Sequence, residues 1–183
     1  MRTVLAMIVA FLVGIGPAYA ENVPALMERA RTLYNFSKPL EAAQKLRECL
    51  IALWDQVPLT AVNVRIVKDT KDFAPRPDNV YKAAEHIFIH CELYGYGLKK
   101  TGEVYSVDIV TDLNVKDAQG NALGGKKEAG TFQVKSPMPV TEFSIDLDYS
   151  LPEAPAGLYD LETVIRDRNS AKTTQFTQRI EIR

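Results

Sequence analysis

Both histidines of the chain and one of its two cysteines fall in one short stretch, Ala84–Tyr96, which reads AEHIFIHCELYGY. The order H-x-x-x-H followed at once by Cys suggests two kinds of chemistry. One is a metal site through His86 and His90, and the other is a Cys–His dyad that activates the thiol. The backbone decides between them, because side chains four residues apart stack closely only on a helix.

The residue types of this stretch favour a strand. It is rich in Ile, Phe and Tyr and ends in a Gly-Tyr-Gly loop. On a strand, His86 and His90 are about 13 Å apart, which is too far for one metal ion. His90 and Cys91 would face opposite sides of the sheet, so the dyad fails as well. We therefore expect no metal site here, and only a helix would make zinc binding possible.

Other signatures of catalysis are missing from the sequence. It contains no G-x-S-x-G, no Gly-rich phosphate loop ahead of a helix and no C-x-x-C pair. Asp108 and Asp112 lie on the polar face of a strand, where the pattern predicts a solvated surface. We predict a protein that is not an enzyme, has no catalytic residue and needs no cofactor.

The two cysteines allow two interpretations. Cys49 lies beside the apolar stripe of a predicted helix, and Cys91 lies on the apolar face of its strand. In an oxidising compartment the two can form a disulfide, worth roughly 3–4 kcal/mol for a loop of this length. The alternative is a pair of buried thiols that pack as small hydrophobic groups.

The first twenty residues predict an export signal. Arg2 supplies the positive charge, Val4–Ile15 is apolar, and Ala18-Tyr19-Ala20 is a small-x-small cleavage site. The apolar run is shorter than the roughly 20 residues that span a bilayer. We expect cleavage after Ala20 and a periplasmic or secreted chain with no membrane span, whereas an uncleaved signal would act as an anchor.

The charge of the chain argues against nucleic acid as a partner. Lys and Arg number 22 against 23 Asp and Glu, and no basic cluster is dense enough to follow a phosphate backbone. A protein or a small ligand is therefore the expected partner, and the oligomeric state is left open.

The periodicity of the apolar residues predicts two parts, a helical hairpin over residues 21–58 and a β-domain over residues 59–183. The hairpin helices are expected at 22–35 and 38–57. An apolar stripe on the second helix is expected to be buried, and it consists of Ala43, Leu46, Leu50, Leu53 and Val57. After Pro58 the period changes to two, and about seven short strands predict an immunoglobulin-like antiparallel β-sandwich.

Two loops are the candidate binding surface. The connector 72–82, DFAPRPDNVYK, is stiffened by prolines, and the Gly-Tyr-Gly loop follows the histidine-bearing strand. Stiff loops that carry Tyr and Arg suit recognition. The candidate binding residues are Arg76, Asp78, Asn79, Tyr81, Tyr94 and Tyr96. The alternative is that the prolines protect an edge strand and the tyrosines cap the core.

Several segments in this order resemble an uncharacterised family of secreted proteins from Gram-negative, chiefly alphaproteobacterial, bacteria. They are LEAAQKLRECLIALWDQVPL, APRPDNVYK, ELYGYGLK, YSVDIVTDLNVKDAQGN and PAGLYDLETVIRDRNSAKT. The resemblance implies export and a C-terminal β-sandwich, and it brings no activity with it. Where relatives are expected to have a Pro-Gly turn, this chain has Ala83-Ala84.

The leading hypothesis is a non-enzymatic periplasmic binding or envelope-accessory protein whose partner is another envelope protein. The alternative is a small-ligand or carbohydrate-binding protein that uses Trp54 and the tyrosines, although core packing is the simpler role for Trp54. A metal-dependent hydrolase through His86 and His90 is the third hypothesis.

Overall fold

The computed structural model describes residues 22–71 and 73–183. The predicted export signal lies outside the described residues. The chain divides into two compact units, one that ends at Leu46 and one that spans Arg47–Arg183. No helix of the described residues has both the length and the apolar character needed to cross a membrane.

The described part of the chain begins with two helices, as the sequence predicts. Helix α1, Val23–Asn35, is capped by the side chain of Asn22, which accepts a hydrogen bond of 3.0 Å from the backbone N–H of Ala25. Helix α2, Pro39–Trp54, begins with a proline and has an acidic residue in its first turn. It ends three residues before the predicted end, because the chain continues as tight turns into Pro58.

Nine strands make the rest of the described chain mainly β. They are β1 Thr60–Val67, β2 Val80–Tyr81, β3 Ile87–Tyr94, β4 Lys99–Thr101, β5 Val104–Asp117, β6 Ala122–Ser136, β7 Phe143–Tyr149, β8 Gly157–Asp167 and β9 Thr173–Ile182. The number of strands exceeds the predicted seven, and β6 contains the two glycines Gly124 and Gly125. The structure places both glycines inside β6, and a Cβ at Gly125 would lie 2.3 Å from the carbonyl oxygen of Leu113.

The strands form two sheets. One has the order β1-β3-β7 and is antiparallel throughout. The other has the order β2-β9-β8-β5-β4, and β6 pairs with β5 as well. Neighbouring strands of this sheet pair antiparallel, except for β2 and β9, which pair in parallel.

One hydrophobic core contains side chains from both sheets. On β3 the inward residues are Ile87, Ile89, Cys91 and Leu93, and each is at most 1% exposed. This alternation confirms that the histidine-bearing stretch is a strand and that Cys91 faces the core.

The apolar stripe of α2 is not buried, so that prediction is wrong. Leu46, Leu50 and Leu53 are 56%, 42% and 43% exposed. The buried side chains of the helix are those of Ala42, Cys49 and Trp54. The physical reason is that Trp54 anchors the end of α2, since its indole N–H donates a hydrogen bond of 2.9 Å to the carbonyl oxygen of Tyr96.

The prediction for Asp112 is also wrong, because the sequence pattern places it on a solvated surface. The residue is 2% exposed. Arg166 donates to both of its carboxylate oxygens, at 2.9 and 3.1 Å, and Lys127 and the backbone N–H of Glu128 donate at 3.1 and 2.9 Å. Hydrogen bonding to Arg166 holds the pKa of Asp112 well below its usual range.

Candidate functional site

Each histidine is paired with its own aspartate. His86 Nδ1 lies 2.7 Å from Asp148 Oδ1, and His90 Nδ1 lies 2.8 Å from Asp146 Oδ1. His90 and Asp146 are direct cross-strand partners on β3 and β7. Within residues 22–71 and 73–183, no group of three or more His, Cys, Asp or Glu side chains is arranged to hold a metal ion.

A cleft of about 470 Å³ opens beside His90, and we name it the His90 cleft. Its lining residues are His90, Glu92, Leu93, Tyr94, Thr141, Glu142, Phe143 and Ser144. The volume falls in the range of small-ligand sites, roughly 300–1,000 Å³. The lining combines carboxylates, hydroxyls and aromatic rings, of which the sequence analysis identified only Tyr94 as a binding residue.

Arg76 is held inside the connector between β1 and β2. Its guanidinium group lies 2.8 Å from Glu85, donates at 2.7 Å to the carbonyl oxygen of Val80, and stacks 4.1 Å above the centre of the Tyr81 ring. A longer contact of 3.4 Å reaches Asp78. Most of its donors are therefore used within the chain, and the structure gives Arg76 a role in shaping the loop.

Tyr81 is buried in the core, and burial raises its pKa to about 12. Asn79 ties the connector to β9, because its side-chain amide donates at 3.1 Å to the carbonyl oxygen of Arg179. Among the candidate residues of the connector, Asp78 keeps an exposed side chain. Arg76, Asp78 and Tyr81 nevertheless line an open cleft of about 790 Å³, together with Lys82, Glu85 and Arg183.

The prolines of the connector cover the end of an edge strand, as the alternative interpretation expected. Pro75 forms a bridge with Val67 at the end of β1. The backbone N–H of Arg76 donates to Ile66 at 3.1 Å. These bonds occupy backbone groups of β1 that would otherwise be open at the edge of the sheet.

The two tyrosines near the Gly-Tyr-Gly loop differ in exposure. Tyr94 is 44% exposed, and its ring centre lies 5.6 Å from that of Trp54. Tyr96 is fully buried, its hydroxyl donates at 3.0 Å to the carbonyl oxygen of Val140, and burial raises its pKa. Trp54 is buried too, so neither Trp54 nor Tyr96 presents a face to a sugar.

The turn between β8 and β9 fixes the Gly-Tyr-Gly loop at both ends. The backbone N–H of Gly97 donates to the Asp167 carboxylate at 2.6 Å. The ammonium group of Lys172 donates to the carbonyl oxygens of Gly95 and Val57 at 2.8 and 2.9 Å. The sequence motifs that carry the family resemblance therefore meet in space and position Tyr94 and Trp54.

Both cysteines are buried thiols, and no disulfide joins them. The structure thus agrees with the second interpretation of Cys49 and Cys91. Desolvation in the core raises the pKa of Cys91 to about 12, which leaves its thiol unreactive at neutral pH.

Most of the large apolar side chains that are exposed lie in the helices and the turn between them. Of twelve such residues in the described chain, seven lie between residues 27 and 53. They are Met27, Tyr34, Phe36, Leu40, Leu46, Leu50 and Leu53. We call Leu46, Leu50 and Leu53, which follow one another along one side of α2, the leucine stripe.

Neither a family model nor a curated protein sequence matches the chain. Among solved structures, a Niemann-Pick type C2 protein from Japanese carpenter ant is 12% identical, with a TM-score of 0.45 over 69% of this chain and 94% of that one. The alkylpurine DNA glycosylase AlkC of Pseudomonas fluorescens, bound to DNA containing an abasic site analog, is 11% identical, with a TM-score of 0.39 over 88% and 46%. The sporulation control protein Spo0M of Bacillus subtilis is 10% identical, with a TM-score of 0.36 over 69% and 49%. At these TM-scores the similarities assign neither a fold family nor an activity.

Proposed function

We propose that this chain is an exported, non-enzymatic binding protein of the bacterial envelope and that its partner is another envelope protein. We also propose that residues 59–183 form an immunoglobulin-like sandwich and that the chain belongs to the secreted family that it resembles. Two largely antiparallel sheets around one core support the immunoglobulin-like sandwich. The order of the family's segments along the chain supports membership of the family.

The observation that carries the proposal is the exposure of the leucine stripe. Apolar residues at helical steps are normally buried, and a cluster of exposed large apolar side chains marks a protein interaction surface. Leu46, Leu50 and Leu53 are 42–56% exposed. Burying the exposed part of each side chain would stabilise a complex by about 1 kcal/mol.

The spacing of the stripe supports a helix as the partner surface. From Ala43 the apolar residues follow at steps of three, four, three and four, to Leu46, Leu50, Leu53 and Val57. This spacing forms a straight seam against a second helix. Residues of both charge signs, Lys45, Arg47 and Glu48, lie between them, which suits a protein surface better than an anionic lipid surface.

The alternative of a carbohydrate-binding protein loses two of its contact residues, because Trp54 and Tyr96 are buried. The metal-dependent hydrolase loses support as well, since each histidine is paired with a different aspartate. We therefore retain the accessory-protein hypothesis and move its contact surface from Arg76 and Tyr96 to the leucine stripe.

The test is a crosslinked pull-down of the C-terminally tagged protein from its native envelope, followed by binding of the purified partner. We expect one dominant partner, bound at least about tenfold more weakly by the triple variant Leu46→Ser, Leu50→Ser and Leu53→Ser. The matched control, Leu123→Ser with Leu158→Ser, removes equally exposed leucines from β6 and β8 and is expected to bind normally. Equal binding by both variants would show that the stripe is not the contact surface.

A further inference from the structure

The His90 cleft has a chemical character of its own, separate from the leucine stripe. Its lining contains two carboxylates, a threonine and a serine hydroxyl, and the partly exposed ring of Tyr94. We propose that the His90 cleft binds a cationic group with several N–H donors, either a guanidinium or a primary ammonium.

Two carboxylates supply the first acceptors. Glu92 on β3 and Glu142, which precedes β7, both line the cleft. Neither forms an ion pair with another residue of the described chain. A carboxylate without a cationic neighbour at a cleft wall is available to a positively charged ligand, and a guanidinium can bind it through two parallel hydrogen bonds.

His90 forms the wall of the cleft beside these carboxylates. The residue is 7% exposed, and its Nδ1 lies 2.8 Å from Asp146 Oδ1. The Phe73 ring packs against the imidazole, with 5.0 Å between the ring centres. Both contacts fix the orientation of the imidazole ring, so the wall that carries Glu92 is ordered.

An accessible aromatic ring adds to the cation site. Tyr94 lines the cleft from β3, whereas Phe143 on β7 packs against the core. Ring faces attract ammonium and guanidinium groups, and the planar guanidinium also stacks on them. Tyr94 is 44% exposed, so its ring is accessible to a ligand.

Two arginines of the chain lie near the cleft without filling it. Arg65 is the cross-strand partner of His90 on β1, and it is not among the lining residues. Arg47 lies in an adjoining hollow of about 430 Å³ and donates at 3.5 Å to the carbonyl oxygen of Pro139. Their positive charge weakens long-range attraction of a cation, so recognition depends on direct contact with Glu92 and Glu142.

The test uses the single tryptophan of the chain as a reporter. Trp54 lies 5.6 Å from Tyr94, so occupation of the cleft is expected to change its fluorescence. We expect a saturable change with Nα-acetylarginine amide, at a dissociation constant of about 1 mM or lower. The citrulline analogue has the same shape without the charge and is expected to give no saturable change. Equal responses to the two compounds would overturn the proposal.

Substitutions test which carboxylates bind the cation. Glu92→Gln with Glu142→Gln keeps the shape of the cleft and is expected to weaken arginine amide binding at least about tenfold. Asp148→Asn is the matched control, because it removes an acid from β7 outside the cleft and is expected to leave binding unchanged. Unchanged binding by the double glutamine variant would contradict the assignment.

Two further measurements complete the test. One identifies the source of the cation, and the other distinguishes this proposal from that of the leucine stripe. Tighter binding of the capped arginine than of agmatine would assign the cleft to a side chain of a polypeptide, and the reverse order to a free amine. Either order supports a cation site. The leucine stripe does not line the cleft, so its triple serine variant is expected to respond normally, and the two proposals can fail independently.

Discussion

The ammonium group of Lys172 donates a hydrogen bond of 2.8 Å to the carbonyl oxygen of Gly95. The same group reaches the carbonyl oxygens of Asp55 and Val57 at 3.2 and 2.9 Å, just after the end of α2. Carbonyl groups at the end of a helix lack partners within the helix, and a cation is favourable there. One side chain thus ties the turn that follows α2 to the loop that carries Tyr94 and Tyr96.

Replacement of Gly95 by alanine is expected to destabilise the protein strongly. Gly95 has a φ of +72°, and an added Cβ would lie 2.4 Å from the carbonyl oxygen of Pro58. The left-handed conformation and the backbone clash together are expected to cost about 3 kcal/mol or more. Urea unfolding followed by circular dichroism measures the loss.

Gly102→Ala is the matched control for this prediction. Gly102 has a φ of +60°, and nothing lies within 4 Å of the position of its Cβ. Only the backbone conformation opposes alanine, at about 1 kcal/mol. Equal effects of the two substitutions would mean that Gly95 does not approach Pro58 closely.

Ala84→Gly is expected to stabilise the protein by about 0.5 kcal/mol. Ala84 has a φ of +63°, and the turn closes with a bond of 3.1 Å from the N–H of Glu85 to the carbonyl oxygen of Lys82. A positive φ at the third position of a turn favours glycine, which is the residue expected in relatives. Ala83, whose φ is not positive, is the control, since glycine there is expected to lower stability. Thermal unfolding compares the two.

Asp112→Asn is expected to cost about 2 kcal/mol at pH 7, because it weakens a buried contact with Arg166. The pKa of Asp112 is lowered in the folded state, so this stabilisation is complete above the ordinary pKa of about 4 and is lost as the pH falls below it. The difference between wild type and variant should therefore stay constant from about pH 5 to 8 and shrink below about pH 4.

The control for the pH experiment is Asp160→Asn, which removes the partner of Arg179, an arginine with 62% of its side chain exposed. Its effect is expected to stay below about 1 kcal/mol. A wild-type advantage over Asp112→Asn that persists unchanged to pH 2 would contradict the role given to the ionised carboxylate.

The cysteines are expected to react with a thiol reagent only after unfolding. Cys91 is buried among core side chains and has a pKa of about 12, and Cys49 is buried as well. Ellman's reagent should therefore detect two thiols in guanidinium chloride without a reductant, and neither in the native protein. No thiol in the unreduced, unfolded sample would instead establish a Cys49–Cys91 disulfide.

Period-two patterns predict a strand where one face is buried and the other is not, as on β3, whose Ile87, Ile89 and Cys91 face the core. On β5 the pattern does not show both faces, because Val110 and Asp112 are buried as well as Ile109 and Leu113. Strand β6 was not predicted, because its first half is exposed and contains two glycines. That half therefore shows no alternation of apolar and polar residues. The wrong prediction for α2 has another cause, since periodicity shows that a stripe exists and cannot show what covers it.

The candidate site was predictable only in part. Prolines and turn residues identified the connector and the Gly-Tyr-Gly loop correctly as ordered structures. Residue type alone could not show that Tyr81 and Tyr96 point into the core while Tyr94 stays accessible. Glu142 joins the His90 cleft through the pairing of β3 with β7, two strands separated by about fifty residues of sequence, a contact that no local pattern contains.

The parallel pairing of β2 with β9 affects the order in which the larger sheet can form. Tyr81 pairs with Ile182, so the edge of the larger sheet closes only when the last strand is present. Contacts between residues so distant in sequence form slowly. Strand β2 therefore stays unpaired until β9 has been synthesised, although the two strands are separated by most of the β-domain.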